Sequence, residues 1–368
     1  MFYLYRVVSF KEKQEWDSIV KEFNHKDIYY FQEYCFLYYL IGDGEPYLFF
    51  YKDLNGNMVC YPFLKRTIDL PFLTKEISQG EIFDITTPYG YGGPLTQAVS
   101  KQVMREFRKE FDEYCSSNNI VSEFVRFHPL LNNVQFLDGL LDIIYDRETV
   151  YMDLTKSGEE ILSNYHKNHR RNVNKAKRSK LEFRCYQKEE ALQYIGDFYH
   201  LYMKTMDRLN AVPYYYFSTN YLKSLITRLT DQSMIAAVFY EDKMISAALC
   251  MYENGYLHYH LGCSLKEYLN LGTNIFLFHQ VAIWGKQQGC HTFHLGGGYM
   301  PKDSLFEFKH RFNPEGTLTF YIGKKIHNPE KYHSLVSSWE RYYMQEVNEG
   351  FFPAYRIKPA ENVSVKNY

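Results

Sequence analysis

Residues 233–263 read SMIAAVFYEDKMISAALCMYENGYLHYHLGC, and the pattern of this stretch decides the fold. Two apolar runs, Ser233–Tyr240 and Lys243–Tyr252, flank the polar pair Glu241-Asp242. A third run, Gly255–Leu261, follows after another short polar break. Apolar runs of this length, separated by polar turns, predict neighbouring antiparallel strands.

The chain after these runs predicts a helix and then another strand. Leu271–Gln288 has helical character and ends at Gly289, a typical residue after a helix. Thr292–Leu295 is predicted as a short strand before a run of three glycines. The flanking segments are two predicted helices before the strands, a long loop after them and a last strand: Lys188–Leu209, Thr219–Leu229, GGGYMPKDSLFEFKHRFNPEG and LTFYIG.

The order of these elements separates two kinds of α/β fold. It matches the N-acyltransferase fold of the GNAT type better than a doubly wound nucleotide-binding sheet. The first half of the chain shows a shorter version of the same order. There, Asn55-Gly56 lies between the strand-like runs Pro46–Tyr51 and Met58–Leu64, which is a strong hairpin signal.

We therefore predict an α/β (α+β) chain with two related GNAT-like domains. Each domain is expected to have a mixed, mostly antiparallel sheet flanked by helices. The predicted domains are residues 1–149 and residues 150–325. Residues 326–368 are predicted to form a C-terminal helix and a tail that pack back on the first domain.

Composition restricts the function classes. The 368 residues carry a formal net charge of −1, with 46% hydrophobic and 23% charged residues, which is typical of a globular protein and excludes a globally basic one. Seven cysteines occur without a C-x-x-C pair, so we expect reduced thiols, a cytoplasmic location and no metal. No stretch of the sequence reaches the roughly 18 apolar residues of a membrane span. No cofactor is predicted.

The most unusual stretch is HKNHRRNVNKAKRSK, residues 166–180, with seven Lys or Arg residues and no acidic residue. We predict one helix over Glu159–Lys180 with Thr155 as its N-cap. At helical spacing the cations form a broad stripe that suits phosphate groups. The alternative is a solvated helix face. The candidate phosphate-binding residues are Arg170, Arg171, Lys175, Lys177 and Arg178.

Two long motifs carry a resemblance to a known family. YHKNHRRNVNKAKRSKLEFR, together with GTNIFLFHQVAIWGKQQGCHTFHLGGG and DSLFEFKHRFNP, resembles the Fem-type (FemABX-like) peptidyltransferases of the GNAT superfamily. A broader resemblance is to the BioF2-like acyltransferases of the same superfamily. The resemblance covers residues 150–323. It implies two GNAT domains, aminoacyl-tRNA as the donor, and an amine of a UDP- or lipid-linked peptidoglycan or related cell-surface precursor as the acceptor.

The same resemblance implies the catalytic residues. Lys309 in SLFEFKHRFN matches the family position for a cation that stabilises the oxyanion of the reaction, and Phe308 is expected to contact the donor end. Tyr259 and His260 lie on a predicted strand whose side chains alternate between two faces. Only one of them is expected to face the site, and either could accept the proton of the attacking amine.

Four residues of the first half are candidate acceptor contacts. Tyr89 and Tyr91 lie in the glycine-rich loop Pro88–Pro94 and are expected to line a cleft, although an ordinary tight connection explains the loop equally well. Arg126 and His128 lie at the end of the predicted strand Ser122–Phe127, where open sheets often place ligand contacts. His128 is more often a buried structural histidine than a base.

The sequence leaves two alternatives to a tRNA-dependent aminoacyltransferase. Acetyl-CoA-dependent GNAT enzymes have a Gln/Arg-x-x-Gly-x-Gly/Ala loop at a helix N-terminus, whereas Leu269–Asn274 here contains one glycine. This disfavours CoA. The runner-up is nevertheless an acyl-CoA-dependent N-acyltransferase that acts on an amino sugar in polysaccharide synthesis. A second alternative is a non-catalytic binding protein on the same fold, and peripheral contact with a membrane is compatible with each reading.

Overall fold

The structure, a computed structural model, describes residues 5–73, 81–97, 99–348 and 350–359. The chain divides into two compact units. Unit 1 comprises Met1–His25, Tyr29–Tyr145 and Phe320–Tyr368, and unit 2 comprises Lys26–Ile28 and Asp146–Thr319. Residues 349 and 360–368 of the predicted C-terminal segment lie outside the described residues.

The strands are numbered along the chain. Their bounds are β1 Tyr5–Ser9, β2 Glu45–Lys52, β3 Met58–Thr67, β4 Phe83–Thr86, β5 Leu95–Gln97, β6 Ile120–Arg126, β7 Asp142–Asp153, β8 Glu182–Tyr186, β9 Ser233–Tyr240, β10 Lys243–Glu253, β11 Tyr256–Ser264, β12 Thr292–Gly297 and β13 Thr317–Ile326. Both β7 and β13 contain a unit boundary, so each contributes residues to both units.

The helices are numbered in the same way. Their bounds are α1 Lys13–Lys21, α2 Gln32–Leu40, α3 Lys101–Ser117, α4 Gly158–Asn164, α5 Lys167–Arg178, α6 Lys188–Gln193, α7 Ile195–Leu209, α8 Thr219–Arg228, α9 Thr273–Gln287, α10 Ser304–His310 and α11 Pro329–Tyr343. Short 3₁₀ helices lie at Ile28–Tyr30, Pro213–Tyr215, Lys266–Leu271 and Ala354–Arg356. No helix in the described part of the chain combines the length and the hydrophobicity that a membrane span requires.

Unit 1 contains a mixed sheet in the order β1-β2-β3-β4-β6-β13. The first four strands pair antiparallel, β4 and β6 pair parallel, and β6 pairs antiparallel with β13. The predicted hairpin is present between β2 and β3, and Gly56 has a φ of +83° there, which favours glycine. Helix α3 buries Phe107 and Phe111 against this sheet.

Unit 2 contains a sheet with the same sequence of pairings. Its order is β8-β9-β10-β11-β12-β7, with antiparallel pairing through β11, a parallel β11–β12 pair and an antiparallel β12–β7 pair. The interior strand β9 is almost fully buried, and β10 is buried through its middle, as continuous apolar runs require. The mixed, mostly antiparallel α/β fold predicted from the sequence is therefore confirmed.

Two helix predictions are wrong in their boundaries. The predicted helix Glu159–Lys180 is two helices, α4 and α5, which are separated by Tyr165 in an extended conformation. The break occurs because the Tyr165 side chain is buried, with its hydroxyl 3.2 Å from His279 Nδ1. The N-cap of α4 is Ser157, which forms a capping box with Glu160, and not Thr155, which bonds to Asp153. The predicted helix Lys188–Leu209 is likewise divided into α6 and α7.

Candidate active site

The parallel strands of unit 2 stop pairing before either strand ends. Their register runs from Tyr256 opposite Thr292 to His258 opposite His294, whereas β11 continues to Ser264 and β12 to Gly297. The register of β11 against β10 also shifts next to Tyr259. Such a bulge re-aims side chains locally and is common beside active sites. The ends of β11 and β12 therefore no longer pair with each other, while β11 still pairs with β10 and β12 with β7.

Lys309 lies against one of these strand ends. It belongs to α10, which begins at the N-cap residue Asp303, whose carboxylate accepts a hydrogen bond from the Phe306 backbone N–H. The lysine is only 5% exposed. Its Nζ donates to the carbonyl oxygen of Gly297 at 2.7 Å and lies 5.4 Å from the ring centre of Tyr259. A buried ammonium is thus held between β11 and the end of β12.

The environment of Lys309 changes its protonation. Burial lowers its pKa from the ordinary 10.5 to about 7; the Asp303 carboxylate raises the pKa and the Arg147 guanidinium lowers it, both by less than burial. A buried lysine near its pKa at neutral pH is typical of functional sites.

Phe308 connects α10 to the basic helix. Its ring packs against Phe278 of α9 and Phe312, with ring centres 5.6 and 5.5 Å away. Its carbonyl oxygen accepts a hydrogen bond at 3.0 Å from His169 Nε2, on the buried face of α5. Burial lowers the pKa of His169 to about 4, so the ring is neutral and its Nε2 carries the proton for this bond.

Helix α5 has one buried face and one cationic face. Its buried residues are His169, Val173 and Ala176, at spacings of four and three. Two of the predicted phosphate-binding residues donate hydrogen bonds to backbone carbonyl oxygens. Arg170 donates to the carbonyl oxygens of Ser163 and Tyr165, and Lys175 donates to the carbonyl oxygen of Asn270. All five residues are exposed, including the other three: Arg171, Lys177 and Arg178.

Tyr259 and His260 contact different helices, as the alternation of a strand predicts. Tyr259 packs against Phe278 of α9 at 4.7 Å, and a Cβ at Gly262 would clash with its hydroxyl. His260 Nε2 lies 3.2 Å from the hydroxyl of Tyr221 in α8. Burial lowers the pKa of His260 to about 3, with a smaller contribution from His258. Tyr259 is therefore the member of the pair beside Lys309, and burial raises its pKa well above 10.

The four predicted acceptor contacts, Tyr89, Tyr91, Arg126 and His128, lie in unit 1. Tyr91 packs against His128 and the Tyr89 carbonyl accepts a hydrogen bond from Tyr34 at 2.6 Å. His128 is fully buried, and its Nδ1 accepts a hydrogen bond from the Leu131 backbone. Arg126 is partly buried and lies over the Phe124 ring at 4.8 Å. A substrate-binding role for these residues stays a prediction.

The start of α9 is where the GNAT superfamily binds the pyrophosphate of CoA. Here Gly272 has a φ of +77°, and a Cβ on it would lie 3.1 Å from Asn172 of α5. Asn274 turns inward, since its Oδ1 accepts a hydrogen bond from Ser246 at 2.8 Å. Gly272 and Asn274 at this helix start are thus engaged by contacts within the protein.

Sequence reasoning missed His169 and Gly297. His169 could have been found from its helical spacing to Val173 and Ala176, which puts it on the apolar face of the basic helix. Its partner Phe308 is 139 residues away, so the contact itself has no local signal. Gly297 was noted only as part of a glycine triplet, whereas its carbonyl anchors Lys309.

Comparisons with known proteins agree with this architecture. Residues 163–310 match the sequence model of the acetyltransferase (GNAT) domain. The crystal structure of FemX is similar over 90% of this chain and 99% of FemX, with 14% identity and a TM-score of 0.68. The structure of L-PGS from Bacillus licheniformis is similar over 85% of this chain and 91% of the L-PGS chain, with 15% identity and a TM-score of 0.55. The structure of a conserved protein of unknown function from Bacteroides thetaiotaomicron is similar over 88% of this chain and 99% of its own chain, with 11% identity and a TM-score of 0.55.

No curated protein sequence matches the chain. The structural similarities, all at low identity, show the fold, and the family match shows the chemistry class. The chain has the Fem-type GNAT fold, and it is an acyltransferase.

Proposed function

We propose that this acyltransferase of the Fem-type GNAT fold transfers an aminoacyl group from aminoacyl-tRNA to an amine of a peptidoglycan or related cell-surface precursor. The observation that carries the proposal is the buried ammonium of Lys309 beside Tyr259, where β11 and β12 no longer pair with each other. The donor's ester carbonyl is proposed to bind there. A tRNA donor implies that the reaction takes place in the cytoplasm.

The reaction needs a positive group at the carbonyl oxygen. The acceptor nitrogen forms a bond to the ester carbon, and the carbonyl oxygen becomes negative. The ester C–O bond then breaks, and the proton that the acceptor nitrogen loses is transferred to the ribose oxygen, which leaves as the hydroxyl of the tRNA. The Lys309 ammonium has three donors, so one can bind the Gly297 carbonyl while another binds the oxyanion. One such preorganised donor contributes about 3 kcal/mol to transition-state stabilisation.

The cationic face of α5 is proposed to bind the donor's phosphates. Arg171, Lys177 and Arg178 are exposed on it, and each cation that neutralises a phosphate releases a counterion. The opposite face of the helix bonds to the carbonyl oxygen of Phe308 through His169. A polyanion on α5 and a carbonyl group at Lys309 would therefore be held by directly connected helices.

The start of α9 supports tRNA over acyl-CoA as the donor. A CoA pyrophosphate needs several backbone N–H groups in a glycine-rich turn. In this chain Leu269 stands at the first position of that turn, Gly272 packs on Asn172, and Lys175 binds the Asn270 carbonyl. These residues do not fit the pyrophosphate pattern.

Unit 1 is proposed to bind the acceptor. Arg126 supplies a partly exposed cation, which suits the diphosphate of a UDP- or lipid-linked precursor. Tyr89, Tyr91 and His128 lie on the adjoining loops and provide apolar rings with polar atoms. These assignments rest on clustering within the unit.

One experiment separates the donors. The purified protein is offered charged tRNA or acyl-CoA, each with a UDP- or lipid-linked muropeptide, and transfer is scored by mass spectrometry. We expect an added aminoacyl mass only with charged tRNA, and its loss when the tRNA is deacylated. Transfer from acyl-CoA alone would contradict the proposal.

The second candidate is an acyl-CoA-dependent N-acyltransferase that modifies an amino sugar. The match of residues 163–310 to the acetyltransferase (GNAT) domain favours it, because many members of that superfamily use acetyl-CoA. An amino-sugar acceptor in the same experiment tests this candidate. A non-catalytic binding protein would give no product with either donor, and in cells Lys309→Ala would then be neutral while charge reversal of Arg170 and Arg171 would not.

A further inference from the structure

Three consecutive carbonyl groups at the end of β12 face two cations. Lys309 Nζ donates to the carbonyl oxygen of Gly297 at 2.7 Å. Arg147 Nη1 donates to the next two carbonyl oxygens, that of Gly298 at 2.9 Å and that of Tyr299 at 2.7 Å. The carbonyl that anchors the lysine therefore belongs to a backbone segment that an arginine holds.

Arg147 is itself fixed by its surroundings in unit 2. It lies on β7, its side chain is 12% exposed, and its Nε pairs with the Asp146 carboxylate. A Cβ on Gly297 would lie 3.2 Å from Arg147 Cδ and 2.8 Å from the Glu148 carbonyl oxygen. Glycine at this position therefore allows the strand end to lie directly on the arginine stem.

Asp303 holds the other side of the same segment. Its carboxylate accepts hydrogen bonds from the backbone N–H of Met300 and from that of Phe306, both at 2.8 Å. A Cβ on Gly298 would clash with it. The segment after β12 is thus fixed between an arginine and an aspartate, and both are charged groups near Lys309.

We propose that Arg147 is a positioning residue for Lys309: it holds the strand end on which the lysine ammonium rests, and it places a second positive charge beside that ammonium. The mechanistic part of this proposal rests on the proposed function. The structural part, that Arg147 positions Lys309 and lowers its proton affinity, does not depend on the proposed function.

The charges around Lys309 give the direction of the expected effect. Asp303, at the start of α10, favours the ammonium form, and Arg147 on β7, which is paired with Asp146, disfavours it. The Tyr259 ring of β11 and the Gly297 carbonyl of β12 also lie beside the ammonium. Arginine stays protonated at every accessible pH. Replacing it with a neutral residue therefore removes a repulsion, and the pKa of Lys309 should rise.

The test measures the pH dependence of Lys309 acylation in the protein alone. Wild type, Arg147→Met, Arg147→Gln and Arg147→Lys are treated with trace acetic anhydride at a series of pH values, and the peptide that contains Lys309 is quantified by mass spectrometry. The reactive form is the free amine, so the inflection reports the pKa. Lys65 of unit 1, measured in the same digests, is the internal control.

We expect the Lys309 inflection to move up by about one pH unit in Arg147→Met and Arg147→Gln, a tenfold change in proton affinity. Arg147→Lys should keep the inflection near the wild-type value, because the charge remains. The Lys65 inflection should stay constant. Arg147→Gln retains a hydrogen-bond donor, so it stays informative if Arg147→Met fails to fold. An unchanged Lys309 inflection in a folded neutral variant would overturn the proposal.

The transfer assay supplies the second readout. Arg147→Gln is expected to lower kcat about tenfold with KM for charged tRNA within about twofold, and Arg147→Lys to recover most of the rate. A change in KM alone would overturn the positioning role in catalysis. Because acylation needs neither donor nor acceptor, absence of any aminoacyl transfer would contradict the proposed function and leave the acylation result to decide the role of Arg147.

Discussion

The two units share one order of strand pairings but differ where their parallel strands end. In unit 1 the pairing continues past β4 through the following loop: the Thr87 N–H donates to the Phe124 carbonyl, and the Gly92 N–H to the Arg126 carbonyl at 2.8 Å. Asn133 then fastens this loop by donating to the Gly92 carbonyl at 2.7 Å. In unit 2 the pairing ends at His258 and His294.

The difference shows how one architecture can serve two purposes. Backbone groups satisfy each other at the strand ends of unit 1, which stabilises the unit. At the strand ends of unit 2, a side-chain ammonium occupies the corresponding place, and an ammonium can exchange partners during a reaction. The chemistry is therefore expected in unit 2.

Replacing Lys309 should have the largest effect. Lys309→Met removes the donor to the oxyanion, and we expect kcat for aminoacyl transfer to fall about 100- to 1,000-fold. The matched control in unit 1 is Lys65→Met, because burial also lowers the pKa of Lys65, whose Nζ lies 3.8 Å from the Phe83 ring centre. Equal losses in both variants would remove the distinction between the units.

Neutralising α5 should have the next largest effect. The triple variant Arg171→Gln, Lys177→Gln, Arg178→Gln should weaken tRNA binding about 10- to 100-fold. The slope of log K against the logarithm of the salt concentration should become less steep by about 2 to 3. Binding is measured by filter retention at several salt concentrations. The control is the triple Lys101→Gln, Arg105→Gln, Lys109→Gln on α3 of unit 1, where the same number of exposed cations is removed. If the control weakens binding as much, the contribution of α5 is non-specific.

Opening the loop of unit 1 should affect stability and not chemistry. Asn133 is buried, it donates to the carbonyls of Gly92 and Pro94, and it accepts from the His128 N–H. Asn133→Ala leaves these groups unsatisfied, and urea unfolding should show a loss of about 2–4 kcal/mol. At saturating acceptor, kcat of the folded variant should remain within about twofold. A large fall in kcat without loss of stability would mean that unit 1 takes part in the chemical step.

The smallest expected effect is a pH dependence of stability. The folded-state pKa of Lys309 is about 7 and its ordinary value is 10.5, so between these values the unfolded chain binds a proton that the folded chain does not. Stability from this group therefore rises with pH. Relative to Lys309→Met, the free energy of unfolding of wild type should increase by about 1 kcal/mol per pH unit between about pH 8 and 9. A flat difference would show that Lys309 is not buried in solution.

Much of the fold could be predicted because its signals are local. The Asn55-Gly56 hairpin and the apolar runs of β9 and β10 follow from turn chemistry and periodicity. The break at Tyr165 could not be predicted, because it depends on burial of that ring against His279 of α9 and Phe312, which are more than 100 positions away.

The candidate site could be predicted only in part. The family resemblance identified Phe308 and Lys309, whereas the local sequence gives Lys309 no special character. Its burial depends on the carbonyl of Gly297, and the position of that carbonyl depends on Arg147, which is 150 residues earlier in the chain. Contacts of this range arise from the topology of the sheet and have no local signature.

The most direct test of the central claim is to find where the donor end reacts. The protein is incubated with tRNA charged with an N-bromoacetyl amino acid, and the alkylated residue is identified by peptide mass spectrometry. The account predicts an adduct on Lys309 or elsewhere within the unit 2 peptides 256–264 and 292–311, suppressed by excess charged tRNA. Adducts confined to the unit 1 peptides 83–97 and 120–133, or labelling that charged tRNA does not suppress, would contradict it.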